Sequence, residues 1–236
     1  MKTLRFFAFA FAVSALTACG GGQETADSGS EQAPVEAAQP EAEAPSAEAA
    51  TGQTTYTVDN AQSELHWVGK KVGGQHEGNI AFQLGEFHFA DGNLTGGVLE
   101  FDMASITVTD LEGEKKADLE GHLKNEDFFD TEQFPNGSYT IETVTDRGNF
   151  VEGGRVWQTA GKLTLKGITQ EGVSVTAVVT EEGDDIRIKG ETTFDRTAFG
   201  ITYKSKSVLG DVADKFIEDD VTLLFNLVAK SGKVGS

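Results

Sequence analysis

The sequence predicts an all-β domain, an up-and-down barrel or a sandwich of about eight to ten antiparallel strands carrying one short helix. Three observations lead there. From Thr54 onward β-branched and aromatic residues recur with the two-residue period of a half-buried strand, in segment after segment. Short runs rich in Gly, Asn and Asp separate the segments, and strands joined by such turns pair antiparallel. Helical spacing is confined to one stretch between Thr109 and Asn125.

In chain order, Tyr56-Thr57-Val58-Asp59 and Leu65-His66-Trp67-Val68-Gly69 read as the first strands, broken by a turn at Asn60-Ala61-Gln62. Ile80, Phe82 and Leu84 alternate onto one face, and Phe87 with Phe89 resume on the other parity. A bulge at Gly85 would bring all five to one side. Leu99, Phe101 and Met103 repeat the alternation, and Ile106 with Val108 change parity around Ser105. Thr109-Asp110-Leu111-Glu112 reads as a capping box, and Ala117, Leu119 and Leu123 give the following helix one apolar side. After Pro135 the strands are Tyr139-Ile141-Thr143, Val156 to Leu165, Val173-Val175-Ala177-Val179, Ile186-Ile188 leading to Phe194, and Val221-Leu223-Phe225-Leu227. Turns are expected at Asp146-Arg147-Gly148, Gly167-Ile168-Thr169 and Glu182 to Asp185. Apolar faces on almost every strand need something to face. An eight-stranded barrel leaves room for packed side chains or for one small ligand.

The junction between helix and strands is the least generic part of the chain. In Gly121 to Pro135 three phenylalanines, Phe128, Phe129 and Phe134, are interleaved with acidic residues and closed by the one proline outside the N-terminal segment. Phe128 and Phe129 read as anchors that pin an irregular segment into the core, while Asp127, Asp130 and Glu132 stay wet or cap short turns.

The first 53 residues are of another kind. Lys2 and Arg5 precede an apolar run, Phe6 to Leu16, too short to span a bilayer, which reads as an export signal over residues 1–18. Leu16-Thr17-Ala18-Cys19 resembles the lipobox of bacterial lipoproteins, and Cys19 is the one cysteine of the chain. That resemblance implies cleavage before Cys19 and its acylation, palmitate included, which would anchor the protein to a membrane. Gly20 stands where an inner-membrane retention signal usually places Asp, so the expected location is the bacterial cell envelope, on the outer membrane facing the periplasm. Residues 19–53 hold three of the four prolines and no aromatic or basic residue, as expected of a disordered acidic tether. The barrel domain is expected over 54–231, with a tail over 232–236. The formal charge of −19, from 38 Asp+Glu against 19 Lys+Arg without a basic cluster, argues against a nucleic-acid partner.

Three motifs in order resemble the YceI-like family of polyisoprenoid-binding proteins: Gly121-His122-Leu123-Lys124 with Asp127 to Asp130 and Phe134-Pro135; Gly161 to Gly167; and Phe194-Asp195-Arg196-Thr197-Ala198-Phe199-Gly200-Ile201. The resemblance covers roughly Thr54 to Ser231. It implies a lipocalin-like, extended antiparallel β-barrel of about eight strands whose apolar pore takes an isoprenoid chain, with no catalytic motif. Trp67-Val68-Gly69-Lys70-Lys71 and Gly74-Gln75-His76-Glu77-Gly78 depart from the plainer pattern of many members and are similar to a subgroup often found as lipoproteins.

Strand alternation nominates Trp67, Phe82, Leu99, Phe101, Met103, Tyr139, Leu163, Phe194 and Phe225 as the residues lining a ligand chain. Arg196, between Phe194 and Phe199, reads either as half of a bidentate, loop-locking pair with an acidic residue such as Asp195, Asp127 or Asp130, or as a solvent-facing arginine. Four histidines, His66, His76, His88 and His122, lack helical ligand spacing, although His66 and His76 stand to meet across a hairpin. The expectation is no metal, no cofactor and no catalytic residue, with an isoprenoid or acyl chain as the bound partner and a homodimer open. The rival readings are a structural or stress-related envelope protein with a filled barrel and, behind it, a metal-dependent enzyme.

Overall fold

The computed structural model describes residues 52–150, 153–209 and 216–232. The export signal, Cys19, all but the end of the tether and most of the tail therefore lie outside the described residues. Nine strands run in the order β1 (Gln53–Val58), β2 (Glu64–Lys71), β3 (Gly74–Ala90), β4 (Asn93–Val108), β5 (Asn136–Asn149), β6 (Arg155–Leu165), β7 (Ile168–Glu182), β8 (Asp185–Asp195) and β9 (Ile217–Ser231). Helix α1 (Gly113–Lys124) follows β4, while a 3-10 turn (Arg196–Phe199) and a four-residue helix α2 (Lys206–Leu209) follow β8.

Each strand from β2 to β9 pairs antiparallel with its neighbours around one sheet, and β4 pairs back onto β3. The sheet is thereby a closed barrel with eight positions. The ninth strand, β1, shares the position of β2: it pairs with the far half of β3 (Thr57↔Glu86) and the far end of β9 (Val58↔Ala229), where β2 pairs with the near half of each (Leu65↔Ile80, Leu65↔Phe225). Closure gives each of the nine strands a neighbour on both sides.

Bulges set which side chains enter the lumen. Along β3 the parity changes at Gln83–Leu84 rather than at Gly85: the register slips between Phe82 and Leu84, leaving Leu84 40% exposed while Phe82 and Phe87 are buried. Gly85 takes the inward position, where a Cβ would sit 2.4 Å from Val58. On β4 the shift around Ser105 is as expected, and its hydroxyl explains it, accepting from Ala81 N–H (2.7 Å) and donating to the Asp102 carbonyl (2.6 Å). Asp146-Arg147-Gly148 proves to be a bulge inside β5, not its terminal turn.

The capping box does not form. Helix α1 begins only at Gly113, with Glu112 at its N-cap lacking a side-chain cap bond, and the Thr109 hydroxyl that would have capped it donates instead to the Glu77 carbonyl (3.2 Å). With only Leu123 buried, α1 is moored by its last two turns and by the Glu120 carboxylate, which accepts from Val108 N–H (2.8 Å).

Candidate functional site

Among the described residues two apolar chambers open in the lumen. The first, about 100 Å³, lies under α1 and the loop after it. Trp67, Met103 and Phe194 line it together with Leu119, Leu123, Phe128 and Phe129. The second, about 60 Å³, lies among regular strands and is lined by Phe82, Leu99, Tyr139, Leu163 and Phe225, with Trp157 and the Val173-Val175-Ala177-Val179 face of β7. Phe101, Leu65 and Leu223 belong to both walls and form the waist between them. All nine residues nominated from strand alternation thus face one chamber or the other. What alternation missed divides by cause. Trp157 and Leu65 carry the same two-residue signal as their neighbours, whereas Ile201 and Leu119 come from a loop and a helix whose placement is tertiary.

Polar groups in the second chamber are mutually satisfied. The Tyr139 hydroxyl bonds the Thr159 hydroxyl and the Val173 carbonyl, both at 3.0 Å, and desolvation raises its pKa above the ordinary tyrosine value. It stays a neutral donor in an apolar wall. In the first chamber the Trp67 indole N–H donates to the Thr107 carbonyl (3.1 Å) across Gly78. A Cβ on Gly78 would fall 1.7 Å from that carbonyl, so only glycine lets β4 approach here.

The cap over the first chamber is built from the three motifs. After α1 the chain folds back on the helix end: Phe129 N–H donates to the Leu123 carbonyl (3.1 Å), Thr131 N–H to Lys124 (2.9 Å) and Asp130 N–H to Asn125 (2.8 Å), which satisfies terminal carbonyls that would otherwise be orphaned. Asp130 adopts a left-handed backbone (φ 48°), and its carbonyl accepts from Phe134 N–H. Phe128 is buried, as an anchor should be, and Phe129 is half-buried. The second motif docks on this loop: Lys166 donates to the Glu126 carbonyl (2.6 Å), and Gly167 lies against the Phe134 ring.

Arg196, from the third motif, is not the solvent-facing arginine of one reading, and in the other its acidic partner is Asp219 rather than those named. It is 2% exposed and pairs with none of Asp195, Asp127 or Asp130. Its guanidinium donates to four backbone carbonyls, those of Ile201 (2.9 Å), Glu218 (3.0 Å), Tyr203 (3.1 Å) and Ile217 (3.1 Å), with Asp219 at 3.4 Å. Burial lowers its pKa, yet a guanidinium stays charged over the working range. Asp195 caps the 3-10 turn instead, accepting from Thr197 N–H (2.7 Å). One buried cation thus ties the segment after β8 to the start of β9. His122 adds a second tie, its ring packing edge-on against Phe128 (4.9 Å) and Tyr203 (4.6 Å).

The other histidines are dispersed. His66 Nδ1 bonds Asn79, His76 Nδ1 bonds Asp110 (2.8 Å), and His88 lies beside Thr55. The β2–β3 register places Asn79 opposite His66 and Gly69 opposite His76, so these two histidines do not meet across the hairpin. Among the described residues no three His, Cys, Asp or Glu side chains converge as metal ligands.

A YceI-like domain model matches residues 56–229. The chain belongs to the YceI-like family. A UPF0312 protein of Shewanella denitrificans is 30% identical over 130 residues, a match spanning 51% of this chain and 65% of that relative. A UPF0312 protein of Staphylococcus aureus is 26% identical over 170 residues, 67% of this chain and 89% of that one. Among solved structures, Burkholderia cenocepacia BcnA superposes with a TM-score of 0.57 at 24% identity, covering 73% of this chain and 99% of its own. A polyisoprenoid-binding domain from Saccharophagus degradans does so with 0.52 at 16% identity, covering 75% and 98%. At those identities the likeness shows the barrel fold.

Proposed function

We propose that this YceI-like protein binds a long isoprenoid or acyl chain along its lumen and carries or holds it in the bacterial envelope, anchored through an acylated Cys19 at the outer membrane. The observation that carries this reading is the apolar wall running from Trp67 and Met103 through the Phe101 waist to Leu163 and Phe225. The polyisoprenoid-binding description of the Saccharophagus neighbour supports it, since that domain shares the barrel. No step in this role requires bonds to be made or broken. Burial alone suffices, because each methylene taken out of water contributes about 0.8 kcal/mol.

Chambers of about 100 and 60 Å³ are no larger than the ~150 Å³ engineered cavity that admits a benzene. A long chain therefore enters by turning side chains aside, and Met103, Leu65 and Leu223 have the rotamer freedom to do so. The same small volumes favour a second reading, an envelope protein with a filled barrel and no fixed ligand. Native mass spectrometry of the protein purified from its host separates the two. Bound mass of one lipid per barrel is expected in wild type and in Phe101→Leu, and its loss in Phe101→Asp, where an unpaired carboxylate would sit in a dry wall. An empty wild-type barrel would favour the second reading.

A further inference from the structure

Around the mouth of the first chamber, the tip of the β2–β3 hairpin meets the segment that follows the 3-10 turn. Val72 N–H donates to the Phe216 carbonyl (3.2 Å), Lys71 pairs with Ile217, and Ile217 N–H donates to the Lys204 carbonyl (2.9 Å). This juxtaposition gathers Lys70, Lys71, Lys204 and Lys206 around Val72 and Val208, which at 51% and 61% are the most exposed large aliphatics among the described residues. The lysines are exposed, and within the described residues none of the four has a carboxylate within ion-pair distance. Of the nearby acidic groups, Asp110 is held by His76 and the Glu77 N–H and Asp219 by Arg196 and the Ser207 N–H, while Glu218 and Asp220 at the start of β9 are exposed beyond ion-pair distance of the four lysines. At the far end of the barrel the cations are paired with carboxylates, Arg155 with Asp146, Arg187 with Glu182 and Lys230 with Asp185.

The rim lysines rest on neutral partners, Lys71 on His76 Nε2 (2.6 Å) and Lys204 and Lys206 over the rings of Tyr203 and Phe216, so their charge is not neutralised. Beside exposed aliphatics on the rim of an apolar chamber, in a chain of net charge −19, they form a surface suited to one kind of partner. We infer that this rim docks on an anionic phospholipid bilayer, the lysines meeting phosphate headgroups while Val72 and Val208 enter the interface, so that the first chamber opens toward the membrane. The inference rests on the reading of the lumen as a lipid site and adds the direction from which the chain enters. Lysines near an anionic surface gain attraction that dies within a Debye length, so the contact is sensitive to salt.

Hydrogen exchange on the full chain tests it, with vesicles of phosphatidylcholine alone and of phosphatidylcholine mixed with phosphatidylglycerol. Any contribution of the N-terminal segment is common to all variants, so the readout is local. Amides of residues 69–76 and 201–208 are expected to exchange several-fold more slowly on the anionic vesicles at low salt. High salt and the variant Lys204→Glu/Lys206→Glu should each abolish this protection, while Val208→Ser weakens it and residues 145–149 at the far end stay unchanged. Equal exchange on both vesicle types, protection at the far end, or protection without vesicles that grows with protein concentration would overturn the inference, the last marking a second copy as the occupant. Native mass spectrometry of the same samples keeps the two readings apart. A lipid-filled barrel without rim protection refutes the docking alone, and an empty barrel with rim protection refutes the lipid site.

Discussion

The two ends of this barrel are built by different means. At the far end, the strands turn through short connections, and the charges are exposed pairs such as Arg155 with Asp146 and Arg187 with Glu182. At the capped end, irregular segments cover the lumen, held by a guanidinium that serves four backbone carbonyls and by a loop wound back onto α1. All three family motifs contribute to the capped end, with Phe128, Leu165, Phe194, Arg196 and Ile201 lining its chamber. The difference teaches that strands need only alternation to define a wall, whereas a lid of loops needs named side chains to satisfy its backbone.

The comparison breaks most readily at Arg196. Arg196→Leu leaves four carbonyls and Asp219 unserved in a buried site, and the expected loss is about 3–5 kcal/mol, a fall in melting temperature on the order of 10 °C. Arg155→Leu at the far end should leave the melting temperature nearly unchanged, because an exposed pair contributes little. Equal effects from the two would show that the cap has no special dependence on its cation. Next in size is the anchor. Phe128→Ala should cost about 3 kcal/mol and Phe129→Ala roughly half as much, following their burial, as read from denaturant midpoints.

A smaller effect comes from acid. Burial pushes the Asp219 carboxyl upward, but hydrogen bonds from Ser205 and Ser207 and the charge of Arg196 outweigh it, so the net pKa lies below the ordinary aspartate value. A carboxyl lowered on folding stabilises the native state above its unfolded pKa, and that contribution is lost as pH falls through the folded value. Asp219→Asn should therefore lower the melting temperature by about 2 °C near neutrality and flatten its decline in acid. An unaltered acid limb in the variant would remove Asp219 from the cap.

Much of the far end was legible in the sequence. Period-two patterning located the strands and the inward faces of Phe82, Leu99, Tyr139 and Leu163, because a strand's parity is local. It erred where parity is set by a partner: Leu84 faces outward since the slip against β4 precedes Gly85, and Asp146-Arg147-Gly148 bulges within a strand that goes on pairing with β6. The cap was legible as motif but not as mechanism. Nothing in the sequence around Arg196 announces that its acceptors are carbonyls between Ile201 and Glu218, nor that the Thr109 hydroxyl leaves the helix N-terminus for the Glu77 carbonyl.

The central claim is that one apolar chain threads both chambers through the Phe101 waist. Photocrosslinking measures this directly, using a long prenyl chain that carries photoreactive groups along its length, bound to the purified protein and mapped by peptide mass spectrometry. The account predicts crosslinks from a single bound chain to both sides of the waist, at Met103 or Phe194 and at Leu163 or Phe225. Crosslinks confined to one chamber, or to the outer faces of the strands, would contradict it.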